Sequence, residues 1–393
     1  MITRRQFFVI STAITASQLL SACGDPTGTL NVMMLQGSIP TQLVAAFRQT
    51  LAKNNPIKFK PEAQLTRIFN LLETWKNGES PRGWGLERIK NIWPRSSTQA
   101  DLVTLGNSWL ENAIAEELIQ PLDINELAGW TSLDPRFQKL VTKDGKIYAA
   151  PYRWGNTVIA YRKDKLQEFN KDRVEKLEIT DWADLWRPEL AGQISLLDNY
   201  REIIGLTLKK LGHSYNSSNL TAITNLESEL ATLHQQVKFY SSTKYLQPLA
   251  LGDLWAAVGW STDILPLVRR YPDKIGMVVP ASGTSLWADL WVQPTVDGSI
   301  GDRVERRLAS WIDFCWQDSS ASTLMLFTNG ISPILNQENQ VELTKELKNN
   351  QDFIQSSLKL FSNSDFIEPL TTEVTQEYQA LWEKIRTAPG SSV

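Results

Sequence analysis

The spacing of apolar positions switches along the chain between short continuous runs and the 3–4 rhythm of an amphipathic helix. Leu30 to Leu35 is a short apolar run that predicts a strand, and a helix begins after Gly37, near Pro40, with Leu43, Ala46, Phe47 and Leu51 on one stripe. Ile57 to Lys60 predicts a second strand; Leu65, Ile68, Phe69, Leu72 and Trp75 then carry the helical spacing again. Residues 76–98 break the rhythm with Gly78, Pro81, Gly83, Gly85 and Pro94, and are expected to form a surface excursion. Leu102 to Gly106 resumes as a buried strand and Trp109 to Leu118 as its helix. Strands alternating with helices predict an α/β fold, a parallel sheet with helices on its faces.

Midway the pattern changes. Lys146 to Tyr152 and Trp154 to Tyr161 read as two extended segments with little turn chemistry between them beyond Gly155, as expected of a strand running from one lobe to another. Beyond it lie a strand at Gln193 to Leu197 and a helix from Tyr200 to Leu211, with Asp198 expected as its cap and Glu202 near the positive end of its dipole. Another strand, Ala256 to Trp260, runs into a helix begun by Ser261, Thr262 or Asp263. Ligands of open α/β sheets gather outside the carboxyl ends of strands, so Glu202 and Trp260 become candidate contacts.

One stretch asks for chemistry rather than packing. In Ser285-Leu-Trp-Ala-Asp-Leu-Trp-Val292, read as a strand, Leu286, Ala288, Leu290 and Val292 form a plain core face, while Trp287, Asp289 and Trp291 share the other. A carboxylate between two indoles needs a partner, because burying an unpaired anion is strongly unfavourable. A cationic ligand would supply one, held by charge and by the indole faces. The competing reading is an Asp exposed at a strand end beside two core tryptophans.

Composition adds limits. With 393 residues, 42% hydrophobic and 21% charged, the chain suits two ordinary domains. The formal net charge of −3 leaves no basic footprint for nucleic acid. His213 and His234 make no metal-ligand cluster, and no cofactor is called for. At the start, Thr3-Arg4-Arg5-Gln6-Phe7-Phe8 and the uncharged stretch to Ala22 have the form of a twin-arginine export signal, too short for a membrane span. Leu20-Ser21-Ala22-Cys23-Gly24 resembles a bacterial lipobox, which implies cleavage before Cys23 and its lipidation. Removing Arg4 and Arg5 with the leader takes the charge to about −5. Cys315 would then be the sole free thiol, so no intrachain disulfide is expected.

Four stretches carry a family resemblance: Tyr148-Ala-Ala-Pro-Tyr-Arg-Trp-Gly-Asn-Thr157, Ile179-Thr-Asp-Trp-Ala-Asp-Leu-Trp-Arg-Pro-Glu-Leu-Ala-Gly192, Arg201-Glu202 with Leu208-Lys-Lys-Leu-Gly212, and Leu286-Trp-Ala-Asp289. Together they resemble the periplasmic spermidine/putrescine-binding proteins of ABC importers. The likeness runs from about Leu30 onward and is strongest between 145 and 294. It implies a type II periplasmic-binding-protein fold: two α/β lobes, two crossover strands and a cleft that closes on the ligand. The implied division is an export signal in 1–22, a lipidated linker in 23–28, one lobe from 29–153 with 287–330, a second from 154–286 with 331–386, and a flexible tail in 387–393. It also implies a monomer tethered outside the cytoplasmic membrane, handing a small cationic solute to the transmembrane and ATPase subunits of a permease.

Carried over by position, Trp287 and Asp289 match the family's Trp-x-Asp, Trp260 a cleft-lining tryptophan and Glu202 a second acidic contact. Asn199 stands where the family has Asp; Leu35, Ser108 and Ile331 stand where it has aromatics, and Ser38 where a tyrosine is expected. Gln36, Ser38, Ser108 and Ile331 complete the candidate ligand contacts, beside Asn199. Two rival classes share these features. An aromatic cleft with paired carboxylates also suits a glycoside hydrolase, and the departures suit a sensory or ligand-degenerate protein of the same fold.

Overall fold

The computed structural model describes residues 29–51, 56–77, 99–295, 301–336 and 350–387. The leader, Cys23, nearly all of the expected excursion in 76–98 and the end of the tail lie outside these residues.

A mixed sheet of eleven strands runs through the molecule. In one half, Leu30–Leu35 lies parallel between Ile57–Glu62 and Leu102–Gly106. In the other, Ile194–Leu196 lies parallel between Ala256–Trp260 and Val237–Tyr240. Two long strands, Ala149–Arg162 and Ser285–Pro294, run antiparallel side by side and join the halves. Ser285–Pro294 continues the first half through Leu102–Gly106. The far end of Ala149–Arg162, from Thr157 on, continues the second half by pairing with Ala256–Trp260 and Ile275–Val278.

The α/β expectation and the crossover strands are thus present, with corrections of detail. Of the extended passage expected around Gly155, Lys146–Ile147 is a separate short strand paired with Thr142–Lys143, and Ala149–Arg162 is one continuous strand in which Gly155 sits in the ladder opposite Trp287. The helix expected from Trp109 to Leu118 runs Asn107–Ala115, after which Ile119–Gln120 forms a short strand. Asp198 does not cap the Tyr200–Lys210 helix. Asn199 does, its extended backbone placing the side-chain oxygen to accept from the N–H groups of Arg201 at 2.9 Å and Glu202 at 3.4 Å.

Thr41–Thr50 buries Leu43, Val44 and Phe47, and Leu65–Lys76 buries Ile68, Phe69 and Leu72. The second of these helices buries the centre of its expected stripe, whereas in the first Ala46 is exposed, Leu51 falls just past the helix end and Val44 takes their place beside Leu43 and Phe47. Among the described residues no helix is long and apolar enough to cross a membrane, and no cluster of His, Cys, Asp and Glu could hold a metal. Cys315 is a buried free thiol, its ionisation pushed up by burial.

Candidate functional site

Strand register builds the site. Residues directly opposite in a sheet share a face, as do residues two apart. Arg153, Gly155 and Thr157 of the first long strand therefore share a face with Asp289 and Trp287 of the second, which lie opposite Arg153 and Gly155. Trp260, opposite Thr157 on the other flank, joins them, and Ser285 extends the row beyond Trp287. The register shifts between Asp289 and Leu290, so that Arg153 faces Asp289 while Pro151 faces Leu290 and Tyr152 has no opposite number. Such a bulge re-aims side chains and is often found beside functional sites. Here Tyr152 stacks on Trp291 with ring centres 4.5 Å apart, and its hydroxyl donates to Ser38 Oγ at 2.8 Å.

The pairing of Asp289 differs from the sequence reading. Its Oδ2 accepts from Arg153 Nε at 2.6 Å, both residues are buried, and the guanidinium carbon lies 5.7 Å from the Trp287 ring centre. The carboxylate thus has a cation of the chain's own beside it, and Asp289 is neither unpaired nor exposed at a strand end. Burial works to lower the Arg153 pKa, but the Asp289 carboxylate and the Tyr152 hydroxyl together more than offset this and the net shift is upward. The aliphatic stem of Arg153 packs closely on Gly330, where an added Cβ would come within 3.1 Å of Arg153 Cδ. Sequence reasoning missed Arg153, which is quoted above only as part of a motif. The signal was available, since a charged residue interrupts the apolar run from Tyr148 to Tyr161.

At the far end of the same face sits Glu202. Its Oε1 accepts from Thr157 Oγ1 at 3.2 Å and its Oε2 from Ser285 Oγ at 2.8 Å, one hydroxyl from each long strand. Burial pushes its pKa up to about 7, while the two hydroxyls and Arg201 pull the other way. Between the ends, Trp287 lies over Gly155 so closely that a Cβ there would meet Cζ2 at 2.4 Å, which requires glycine. Trp287 and Trp260 are half-buried.

The remaining candidates differ in burial. Asn199 is exposed with its side-chain oxygen committed to the helix cap. Ser38 is fully buried under Tyr152, and Gln36 and Ser108 are exposed. Ile331 is buried, its backbone N–H and C=O both paired with Trp154 at 2.8 Å. Asp289, Trp287, Trp260 and Glu202 are therefore brought onto one face, whereas Gln36, Ser108 and Asn199 are at the surface. Of the two carboxylates, Asp289 is ion-paired with Arg153 and Glu202 is hydrogen-bonded by two hydroxyls.

Comparison with known proteins agrees with this architecture. The family model described as bacterial extracellular solute-binding protein matches residues 97–357. The putrescine-binding periplasmic protein PotF of Escherichia coli is 30% identical over 212 residues, which cover 50% of this chain and 56% of that protein. The spermidine/putrescine-binding periplasmic protein of the same organism is 30% identical over 189 residues, 48% and 52% of the two chains. The matched stretch thus spans about half the length of these relatives. The crystal structure of the spermidine/putrescine ABC transporter substrate-binding protein PotD from Streptococcus pneumoniae superposes with a TM-score of 0.73 over 91% of this chain and 98% of that one. At 19% identity that likeness speaks for the fold.

Proposed function

The chain belongs to the bacterial extracellular solute-binding protein family, and from that premise we propose that it is the extracytoplasmic solute-binding component of an ABC importer, taking a small polyamine-like amine. The observation that carries this reading is the single face shared by Trp287, Asp289, Glu202 and Trp260, laid across the two strands that join the halves of the sheet. Indole faces and carboxylates in that arrangement suit a flexible amine. The relatives named for putrescine and spermidine support the same class. In this reading the protein is a monomer without catalytic activity. The leader is exported by the twin-arginine route, Cys23 is lipidated, and the loaded protein docks on a membrane permease.

A thermal-shift screen of the mature chain against putrescine, spermidine, other small amines, amino acids, betaines and sugars tests the reading. A ligand of the native state alone stabilises it by ~2.7 kcal/mol at a hundredfold excess over its dissociation constant. A shift with amines supports the proposal; a shift with sugars alone, or with none of the panel, overturns it. The anchor is tested separately by Cys23→Ser, which is expected to release the protein from membranes or block its maturation.

A further inference from the structure

The two halves of the sheet also meet on the side away from the candidate site. Trp154 and Ala288 lie opposite one another on the long strands, each next in sequence to a residue of the Asp289 face, and so point to the reverse face. Phe137 of the short helix Pro135–Val141 packs on Trp154 with ring centres 6.0 Å apart. That helix belongs with the first half: the Val141 carbonyl accepts from the Tyr148 N–H at 3.0 Å, next to Ala149, whose opposite number Val292 also pairs with Val103. Phe137 lies 5.4 Å from Phe361 and 5.4 Å from Phe366 as well. The segment carrying those two rings is tied to the second half. Lys209 of the Tyr200–Lys210 helix donates to the Asn363 carbonyl at 2.6 Å and pairs with Asp365 at 2.8 Å, and the Tyr215 N–H donates to Asp365 Oδ2 at 3.2 Å.

Arg136 bridges the two. Its Nη1 donates to the Phe361 carbonyl and its Nη2 to the Ser364 carbonyl at 2.7 Å, while its guanidinium carbon lies 4.5 Å from the Phe361 ring centre. Burial lowers its pKa although Asp365, Asp134 and Glu368 act the other way. Beside this fork the contact between the halves is loose, for a cavity of about 470 Å³ is lined by Leu110 and Lys139 from one and by Asn216 and Glu368 from the other. The fork and the rings around it therefore carry much of what holds this side together.

We propose that Arg136 is a clasp behind the hinge that opposes closure, so that affinity for the solute is tuned by a residue on the reverse face from the binding side chains. This rests on the solute-binding reading above and names a control on it. A rotation that brings the halves together over the Asp289 face draws them apart on the reverse face. The two carbonyl bonds and the contact with the Phe361 ring must then lengthen or break. Apparent affinity is reduced by the fraction of the protein not in the binding-competent state, and loosening the clasp raises that fraction.

The test compares wild type with Arg136→Met, which keeps a long apolar stem and removes the fork, using the mature chain and putrescine as the probe. By calorimetry the variant is expected to bind putrescine about fivefold more tightly, and by X-ray scattering without ligand to have the smaller radius of gyration. Arg136→Lys, which keeps the charge and gives up the planar fork, is expected to lie between the two. A residue that serves folding alone would lower the melting temperature and leave affinity where it was; affinity equal to or below that of wild type overturns the proposal. Failure of wild type and variant alike to bind putrescine or spermidine removes the amine reading. Scattering then decides for the clasp, a smaller radius in the variant supporting it and an equal one overturning it. Should Arg136→Met not fold by circular dichroism, Phe361→Leu, which removes the ring beside the guanidinium, takes its place with the same expected direction and the same overturning results.

Discussion

Asp289 stands among Trp, Ala and Leu in its strand, and that contrast in sequence is enough to single it out. Its partner is not visible the same way, because Arg153 lies 136 positions away and meets it only through the register of two antiparallel strands. The consequence for mutation is a change of sign. An unpaired carboxylate could become Asn at little cost, but with Arg153 against it Asp289→Asn strands a buried guanidinium and is expected to cost ~3 kcal/mol. Urea unfolding of the ligand-free protein measures this, and a loss under ~0.5 kcal/mol would show that the pair is not formed in solution. Glu202 was legible as an acidic residue near a helix start, but not as a buried one, since burial comes from Thr157 and Ser285 on two distant strands. Its pKa is raised from 4.5 to about 7, so between those values the native state holds a proton that the unfolded state has lost. Stability on this account is full below pH ~4.5 and declines as pH rises to ~7, by about 3 kcal/mol at most. Glu202→Gln can still bond both hydroxyls and is expected to remove that decline. Parallel pH profiles for wild type and variant would mean Glu202 does not titrate in this window.

Helices and strands were the readable scale. The stripe of Leu65–Lys76 follows from spacing, because burial of one face dictates it, while in Thr41–Thr50 the buried face is turned toward Val44 and away from Ala46. Boundaries were less readable where neighbouring residues compete for one role. Asp198 and Asn199 are both good caps, and the choice falls to Asn199 because its backbone, at φ −153°, is the last extended one before the helix. Asn199→Ala is therefore expected to destabilise by ~1 kcal/mol and Asp198→Ala by much less. Thermal or urea unfolding of the two variants separates them; an equal effect would assign the cap to neither residue. Gly155 is ambiguous in sequence for a related reason. A glycine within an extended run signals a break or a close approach, and only the position of Trp287 over it decides for the approach.

At the scale of the whole molecule, the alternation of elements and the resemblance point to two lobes joined by long strands, and the sheet has that form. How the halves move belongs to a different kind of argument. Both long strands are hydrogen-bonded to each other from Leu286–Asn156 to Val292–Ala149, so a hinge cannot bend within that ladder without breaking it. The give must come where the partners change, near Thr157, at which the first strand leaves Ser285–Pro294 and takes up Ala256–Trp260. Glu202 lies across that point, tying Thr157 of one strand to Ser285 of the other. Closure around a solute is accordingly expected as a rotation about Thr157 and Ser285, just beyond the ladder, seen as a smaller radius of gyration by X-ray scattering at saturating ligand. Glu202→Gln, which keeps these ties, should leave the compaction intact, whereas Thr157→Val, which removes one, should change its extent. An identical scattering profile with and without a ligand whose binding is confirmed by calorimetry would mean a preformed pocket, and would remove hinge closure from the account of how this protein loads.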